Sequence, residues 1–281
     1  VPSCNFVLKT GSAPSDGQIL TADANGEAGW ENPASASIGS VNQSTIGGYN
    51  AGVNFSGAWD VTLFGYQAGT AITSGDYHTI VGSYAGASLT TSGSCTFFGY
   101  GAGRYVTGHS NIGMGTSALK GSSSTALTGT RNIGLGNDSG RDITSGARNV
   151  GIGASTNTAV TTGDNNSALG DYALSGVTTG DNNIGIGHNA AKTISTGSYN
   201  IGIGSETFYS NAVTGDNNVG VGYKVLRAVT SGTHNFALGN ETAMQITTGS
   251  YNTAMGGGAM YPVTTGSYNT ALGYQACGEV T

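Results

Sequence analysis

The chain has 281 residues, 50 of them glycine, and only 9 Lys+Arg against 15 Asp+Glu, so 9% of it is charged and its net charge is −6. Nine scattered cations with no basic run exclude binding to a nucleic-acid backbone, whose affinity comes from clustered Lys and Arg. No apolar run approaches the roughly 18 residues of a membrane-spanning helix, so membrane insertion is not expected, and 37% hydrophobic content at this small net charge does not fit a charge-expanded disordered chain.

Residues 1–43 differ from everything after them. They hold three of the four prolines (Pro2, Pro14, Pro33), and the stretch from Leu8 to Pro33 reads as a short hairpin around Asn25 and Gly26, closed by Trp30. We take this as an N-terminal connector module. The chain begins at Val1 with no signal-like stretch, which predicts a processed or interior piece of a longer polypeptide.

From residue 44 the chain repeats. Taking Gly170 in TTGDNNSALG as a marker, equivalent glycines stand at Gly48, Gly65, Gly82, Gly99, Gly115, Gly136, Gly153, Gly187, Gly204, Gly222, Gly239, Gly256 and Gly273. That makes fourteen copies; ten of the thirteen intervals are 17 residues, and the others are 16 (Gly99 to Gly115), 21 (Gly115 to Gly136) and 18 (Gly204 to Gly222). A fixed short period is the signature of stacked units, none of which buries enough apolar surface to fold alone. Positions below are counted from the marker.

The first section, 44–104, carries large residues before the marker, as in TLFGYQAG (Thr62 to Gly69), TIVGSYAG (Thr79 to Gly86) and TFFGYGAG (Thr96 to Gly103), and has no asparagine at −4. The second, 105–281, has Asn at −4 in ten consecutive copies, from Asn111 to Asn269, and a large–tiny–large pattern such as Ile184-Gly185-Ile186 before the marker. Alternation with period two is strand logic. The expectation is that the large face buries, while the Gly/Ala face lets another backbone approach. A further glycine at −7 (Gly146, Gly163, Gly180, Gly197) reads as turn chemistry with positive φ. Each unit is therefore expected to run strand, turn, strand, turn, without helices. The odd intervals at the seam predict a differently packed N-terminal section and an outward loop at Lys120–Thr125.

These features specify an all-β fold: a parallel β-roll or β-solenoid of 17-residue coils, about 65 Å long at one strand spacing per copy. A coil this short encloses one layer of side chains. The Gly/Ala face then wants a partner, and the same face of further copies about a rotation axis supplies one, so we expect an intertwined homotrimer; a monomeric solenoid is the alternative. Val280 and Thr281 open another repeat without a cap, which predicts continuation past Thr281 or a stacked subunit there.

The repeat core, NNSALG at Asn165–Gly170 and NNIGIG at Asn182–Gly187, resembles the head repeats of trimeric autotransporter adhesins. The phrase TTGSYNTALGYQA at Thr264–Ala276 resembles repeats of phage tail-fibre proteins, and the segment before residue 44 resembles the small modules that join fibre sections. The resemblance covers about Ser44 to Thr281 and implies left-handed parallel β-rolls in intertwined trimers. It implies a non-enzymatic shaft of a phage tail fibre in the virion. Partners would be further fibre sections or baseplate proteins, and a receptor-binding element for a host surface receptor or saccharide. A cell-surface trimeric adhesin head that grips host saccharide or matrix is the alternative.

Residues with chemistry are sparse. The cysteines Cys4, Cys95 and Cys277 have no CxxC spacing, so neither a zinc site nor a dense disulfide framework is expected. His78, at the −4 position of its copy, and His234, beside Asn235, are expected on an outer wall; His109 and His188 sit in other copies. The GDN turns (Asp164, Asp181, Asp216) invite calcium, yet the GGxGxD pattern is absent. The scattered acids select no glycosidase pair, and the Gly-x-Gly strings have no helix to hold a phosphate. Tyrosines after the marker (Tyr49, Tyr66, Tyr100, Tyr172, Tyr223, Tyr274) and before it (Tyr77, Tyr199, Tyr251, Tyr268) are expected as half-buried wall residues, with saccharide stacking as the alternative. Thr pairs (Thr161-Thr162, Thr178-Thr179, Thr247-Thr248, Thr264-Thr265) raise an ice-binding solenoid, but neighbours on a strand face opposite ways, so they do not form a Thr-x-Thr lattice. The sequons at Asn42, Asn54, Asn137, Asn165 and Asn240 are what an Asn/Ser/Thr-rich chain contains by chance. No catalytic residue, cofactor ligand or metal ligand is assigned, and the binding residues are left open.

Overall fold

A computed structural model describes Val7–Leu8, Ile19–Ala22, Glu27–Glu31, 44–56 and 59–278 of the chain. Near the N-terminus β1 (Val7–Leu8), β2 (Ile19–Ala22) and β3 (Glu27–Glu31) form a small sheet in the order β1-β3-β2. β2 and β3 are antiparallel with Leu20 opposite Trp30, as a hairpin requires; its turn at Asn25 and Gly26 lies outside the described residues, as do Asn42, Cys4 and the end from Glu279 to Thr281.

The repeats form one parallel sheet of fourteen strands, β4 (Thr45–Gly47) to β17 (Thr270–Leu272), each of three residues and each paired with its neighbours in sequence order. Register is locked to the marker: Ile184, Gly185 and Ile186 face Ile201, Gly202 and Ile203 on the next coil. The protein is an all-β parallel solenoid of about thirteen coils, with no helix among the described residues.

Each coil has one strand, not the two expected from sequence. Beyond the marker the backbone takes positive φ at +2 and +4, as at Tyr172 (60°) and Leu174 (51°), which no extended segment tolerates. Only isolated bridges, Val106 to Leu127 and Ile194 to Val213, mark where a second strand would run. Coil-to-coil hydrogen bonds continue there all the same: Tyr172 N–H donates to Ala154 O at 2.9 Å and Gly176 N–H to Lys192 O at 2.8 Å. Nearly every rung is thus tied to the next, which satisfies buried backbone groups without regular strands.

The side chains turn the opposite way from the expectation. At each strand the middle residue (−2) faces the interior and the flanking residues (−3, −1) face out, so the Gly/Ala row lines the core and the large row lies outside. The reason is volume. In the first section Leu63, Ile80 and Phe97 fill the interior from −2, and glycines at +4 (Gly69, Gly86, Gly103) make room; a Cβ at Gly69 would stand 2.9 Å from Leu63 Cδ2. In the second section the roles exchange: Leu119, Leu174, Phe208 and Leu226 enter from +4, and −2 becomes Gly or Ala. Ile72, Leu89, Ile143, Val160 and Ile194 complete the core along +7. The sheet crosses the seam unbroken, and the four extra residues of the long interval project as a turn, with Ser122 N–H on Thr125 O at 3.2 Å and Ser123 to Thr125 exposed.

The −7 glycines are not selected for positive φ. A Cβ on Gly197 would lie 2.5 Å from Gly215 O and 2.9 Å from Asn200 Nδ2, so close backbone stacking is the requirement.

Candidate functional site

Columns of side chains run along the solenoid, each laid down by one position of the repeat, and three regions of them matter: −4, −6 and the outer sheet face at −1 and −3. The innermost is the −4 column. Asn200 is fully buried; its N–H donates to Asn183 Oδ1 at 3.0 Å and its Nδ2 to Gly215 O at 2.9 Å, and Asn218 N–H in turn donates to Asn200 Oδ1 at 3.0 Å. The same pattern runs from Asn111 to Asn269. A carboxamide supplies both a donor and an acceptor, so each rung satisfies the next and fixes its register.

His78 belongs to this column and not to the outer wall where sequence placed it: it is 1% exposed. Its imidazole does what the carboxamide does elsewhere, with Nε2 on Ser92 O at 2.7 Å and Nδ1 accepting from Cys95 N–H at 3.2 Å. Burial lowers its pKa, against smaller raising effects of those hydrogen bonds and of Asp76. Cys95 is the next rung, with Sγ on Gly108 O at 3.4 Å, and burial pushes its thiol up to about 11. His234 is exposed, as expected.

The second column, at −6, holds the GDN aspartates. Asp164 Oδ1 accepts from Ala147 N–H at 2.8 Å, Asp181 Oδ1 from Asp164 N–H at 2.7 Å, and Asp216 Oδ1 from Ser198 N–H at 2.7 Å. Serine does the same in other coils: Ser250 Oγ accepts from Thr233 N–H at 3.0 Å. The carboxylates therefore tie coils together. No group of three or more His, Cys, Asp or Glu at metal-binding proximity occurs among the described residues. Threonines at +8 are tied likewise, Thr161 Oγ1 donating to Thr178 O at 3.1 Å and Thr247 Oγ1 to Thr264 O at 3.1 Å.

The third column is the outer face of the sheet. At −1, thirteen successive coils present a large apolar side chain, from Phe64 through Met114, Ile152, Leu169, Ile186 and Ile203 to Leu272. Leu169 is 48% exposed and Ile152 40%. Beside it at −3 stand Ile112, Ile133, Val150, Ile184, Ile201 and Val219, with Thr or Ser in seven of the fourteen coils, and neither column contains a charged residue. An apolar column of this length at −1 is unusual on the surface of an isolated soluble chain.

The tyrosines named from sequence range from partly buried, as expected (Tyr223 42% exposed, Tyr172 45%), to largely exposed at the two ends of the stack (Tyr49 71%, Tyr268 78%). They stack on each other. Tyr251 lies parallel to Tyr268 with centroids 5.0 Å apart and to His234 at 4.7 Å, and Tyr49 stacks on Tyr66 at 5.8 Å. Arg104 sits 4.4 Å over the Tyr84 ring.

Sequence reading missed the direction of the third column, although the signal was present. The exchange of large residues between −2 and +4 across the seam means that both positions compete for one interior slot, which leaves −1 and −3 outside. Compared with known families, curated proteins and solved structures, the chain matches none.

Proposed function

We propose that the chain is a non-enzymatic section of a trimeric fibre shaft, of the kind that holds the receptor-binding element of a phage tail fibre away from the virion. The observation that carries this reading is the apolar column at −1, flanked by the uncharged column of apolar and hydroxyl residues at −3. A partner must offer apolar groups at one strand spacing over the whole length, and further copies of this chain in parallel register do so. Thirteen coils at about 4.8 Å, with a strip roughly 12 Å wide, give about 750 Å² per chain, near the 800 Å² per partner of a stable interface. Three copies about a common axis cover every strip and leave no edge, a closed arrangement.

The mechanism is mechanical. Buried Asn and backbone ladders resist bending and proteolysis, and few surface charges give little electrostatic adhesion to other surfaces. Further fibre sections or baseplate proteins at its ends, and a host receptor or saccharide beyond them, are the partners this role requires. The exposed tyrosine stacks favour a second reading, a cell-surface adhesin head whose own walls bind saccharide, since aromatic faces pack against sugar rings. For the ice-binding reading, the +8 threonine hydroxyls already donate to the next coil.

Sedimentation equilibrium for mass and sedimentation velocity for friction, on the purified chain, test the shaft. The expected result is a particle of three times 27.9 kDa with the friction of a rod, converted to a folded monomer by I186K with I203K. A wild-type monomer at micromolar concentration overturns it. Binding of the isolated chain to host cells would move the assignment to the adhesin head.

A further inference from the structure

The −4 column is chemically uniform except near its start, where Ser44, Val61, His78 and Cys95 precede the asparagines. Ser44 Oγ accepts from Val61 N–H at 3.1 Å, while Val61 offers no polar side chain. His78 is therefore the only rung of the described column whose charge changes between about pH 5 and 8. We propose that His78 is an acid-sensitive joint: at neutral pH it completes the ladder, and on protonation it parts the coil of Thr79–Val81 from the coil of Thr96–Phe98 while the asparagine coils stay closed.

The geometry gives the reason. Nε2 lies 2.7 Å from Ser92 O, a carbonyl that can only accept, so Nε2 carries the hydrogen. Nδ1 must then be the bare nitrogen, because Cys95 N–H points at it from 3.2 Å. A proton on Nδ1 sets donor against donor at a site closed to water, and leaves the buried Cys95 N–H without an acceptor. Asparagine in the same place cannot do this.

The surroundings do not offset the charge. Val61 lies in the same column on the coil before, and Cys95 on the coil after has its thiol held neutral by burial. Asp76, two residues earlier, is the one charged group acting on the ring, and its Oδ1 is held by Trp59 N–H at 2.7 Å. Its attraction is smaller than the cost of burial, and the folded pKa lies below the ordinary histidine value. The sign follows. The unfolded chain binds the proton first, so stability is whole above about pH 6.5 and declines as pH falls from there through the folded pKa.

Amide hydrogen exchange of the full chain at about pH 7.5 and about pH 5, corrected for intrinsic rates, reads the joint directly. We expect protection of Cys95 and of its neighbours in the Thr96–Phe98 strand to fall by about tenfold or more, with Ile201–Ile203 unchanged. In H78N, which installs the residue ten other coils use, the pH response should vanish. The same fall in H78N, or no fall in the wild type, overturns the proposal. A second readout needs no variant: the imidazole carbon shifts of His78 should report the Nε2–H tautomer and a midpoint below 6.5, and a midpoint at or above that value also overturns it.

Discussion

Leu174 and Gly185 share one volume. A Cβ on Gly185 would stand 2.9 Å from Leu174 Cγ, although the two residues lie on successive coils and eleven positions apart in sequence. Leu174 reaches that slot from a left-handed backbone (φ 51°), a conformation that costs a leucine about 1–2 kcal/mol. The interior tolerates this because the slot must be filled once.

That relationship sets a double-mutant cycle. L174G alone should cost about 2–5 kcal/mol through the cavity it leaves, and G185L alone about 1–3 kcal/mol or more through overpacking. Combined, they rebuild the arrangement of the first section, and chemical denaturation should show the pair costing at least 1 kcal/mol less than the sum. Additivity would mean that the two side chains do not compete.

Asn200→Ala tests the buried ladder. It strands the N–H of Asn218 and the carbonyl of Gly215, so denaturation should register a loss of about 2–5 kcal/mol. Thr196→Ala, on the exposed wall of the preceding coil, should stay within about 0.5 kcal/mol of wild type.

Gly197→Ala separates close packing from conformational freedom. The φ of Gly197 is ordinary for an L-residue, so a turn-propensity account expects little change. The 2.5 Å approach to Gly215 O instead requires the two coils to move apart, at about 1–3 kcal/mol, readable as a lower denaturation midpoint.

Thiol alkylation follows burial and pKa. Cys95 is buried with its thiol pushed up to about 11, so at about pH 8 almost none of it is thiolate. Cys277 is exposed. Residue-resolved mass spectrometry should find Cys277 alkylated in the native protein and Cys95 only after unfolding; equal rates would contradict the burial of the −4 column.

The period, the coil count and the asparagine column were legible because each leaves a mark at one fixed phase, whatever the neighbours do. Two things were not. The inward or outward sense of Ile184-Gly185-Ile186 follows from Leu174, which lies ten positions before Ile184 in the coil below, and alternation alone does not carry the sense of the pleat. His78 lies inside, against the outer-wall expectation, because its phase puts it with Asn111 and Asn132, whereas residue type alone leaves histidine intermediate between core and surface. The threefold assembly rests on the outer strip and belongs to the function proposed above.

Cryo-electron microscopy of the purified chain, at a resolution that separates rungs about 4.8 Å apart, tests the central claim most directly. The account predicts a rod of threefold cross-section whose rungs lie across the axis, with Ile186 and Ile203 turned toward that axis and Tyr251 and Tyr268 outside. Single rods that keep the Ile186 and Ile203 columns in solvent, or particles without an axial repeat, would contradict it.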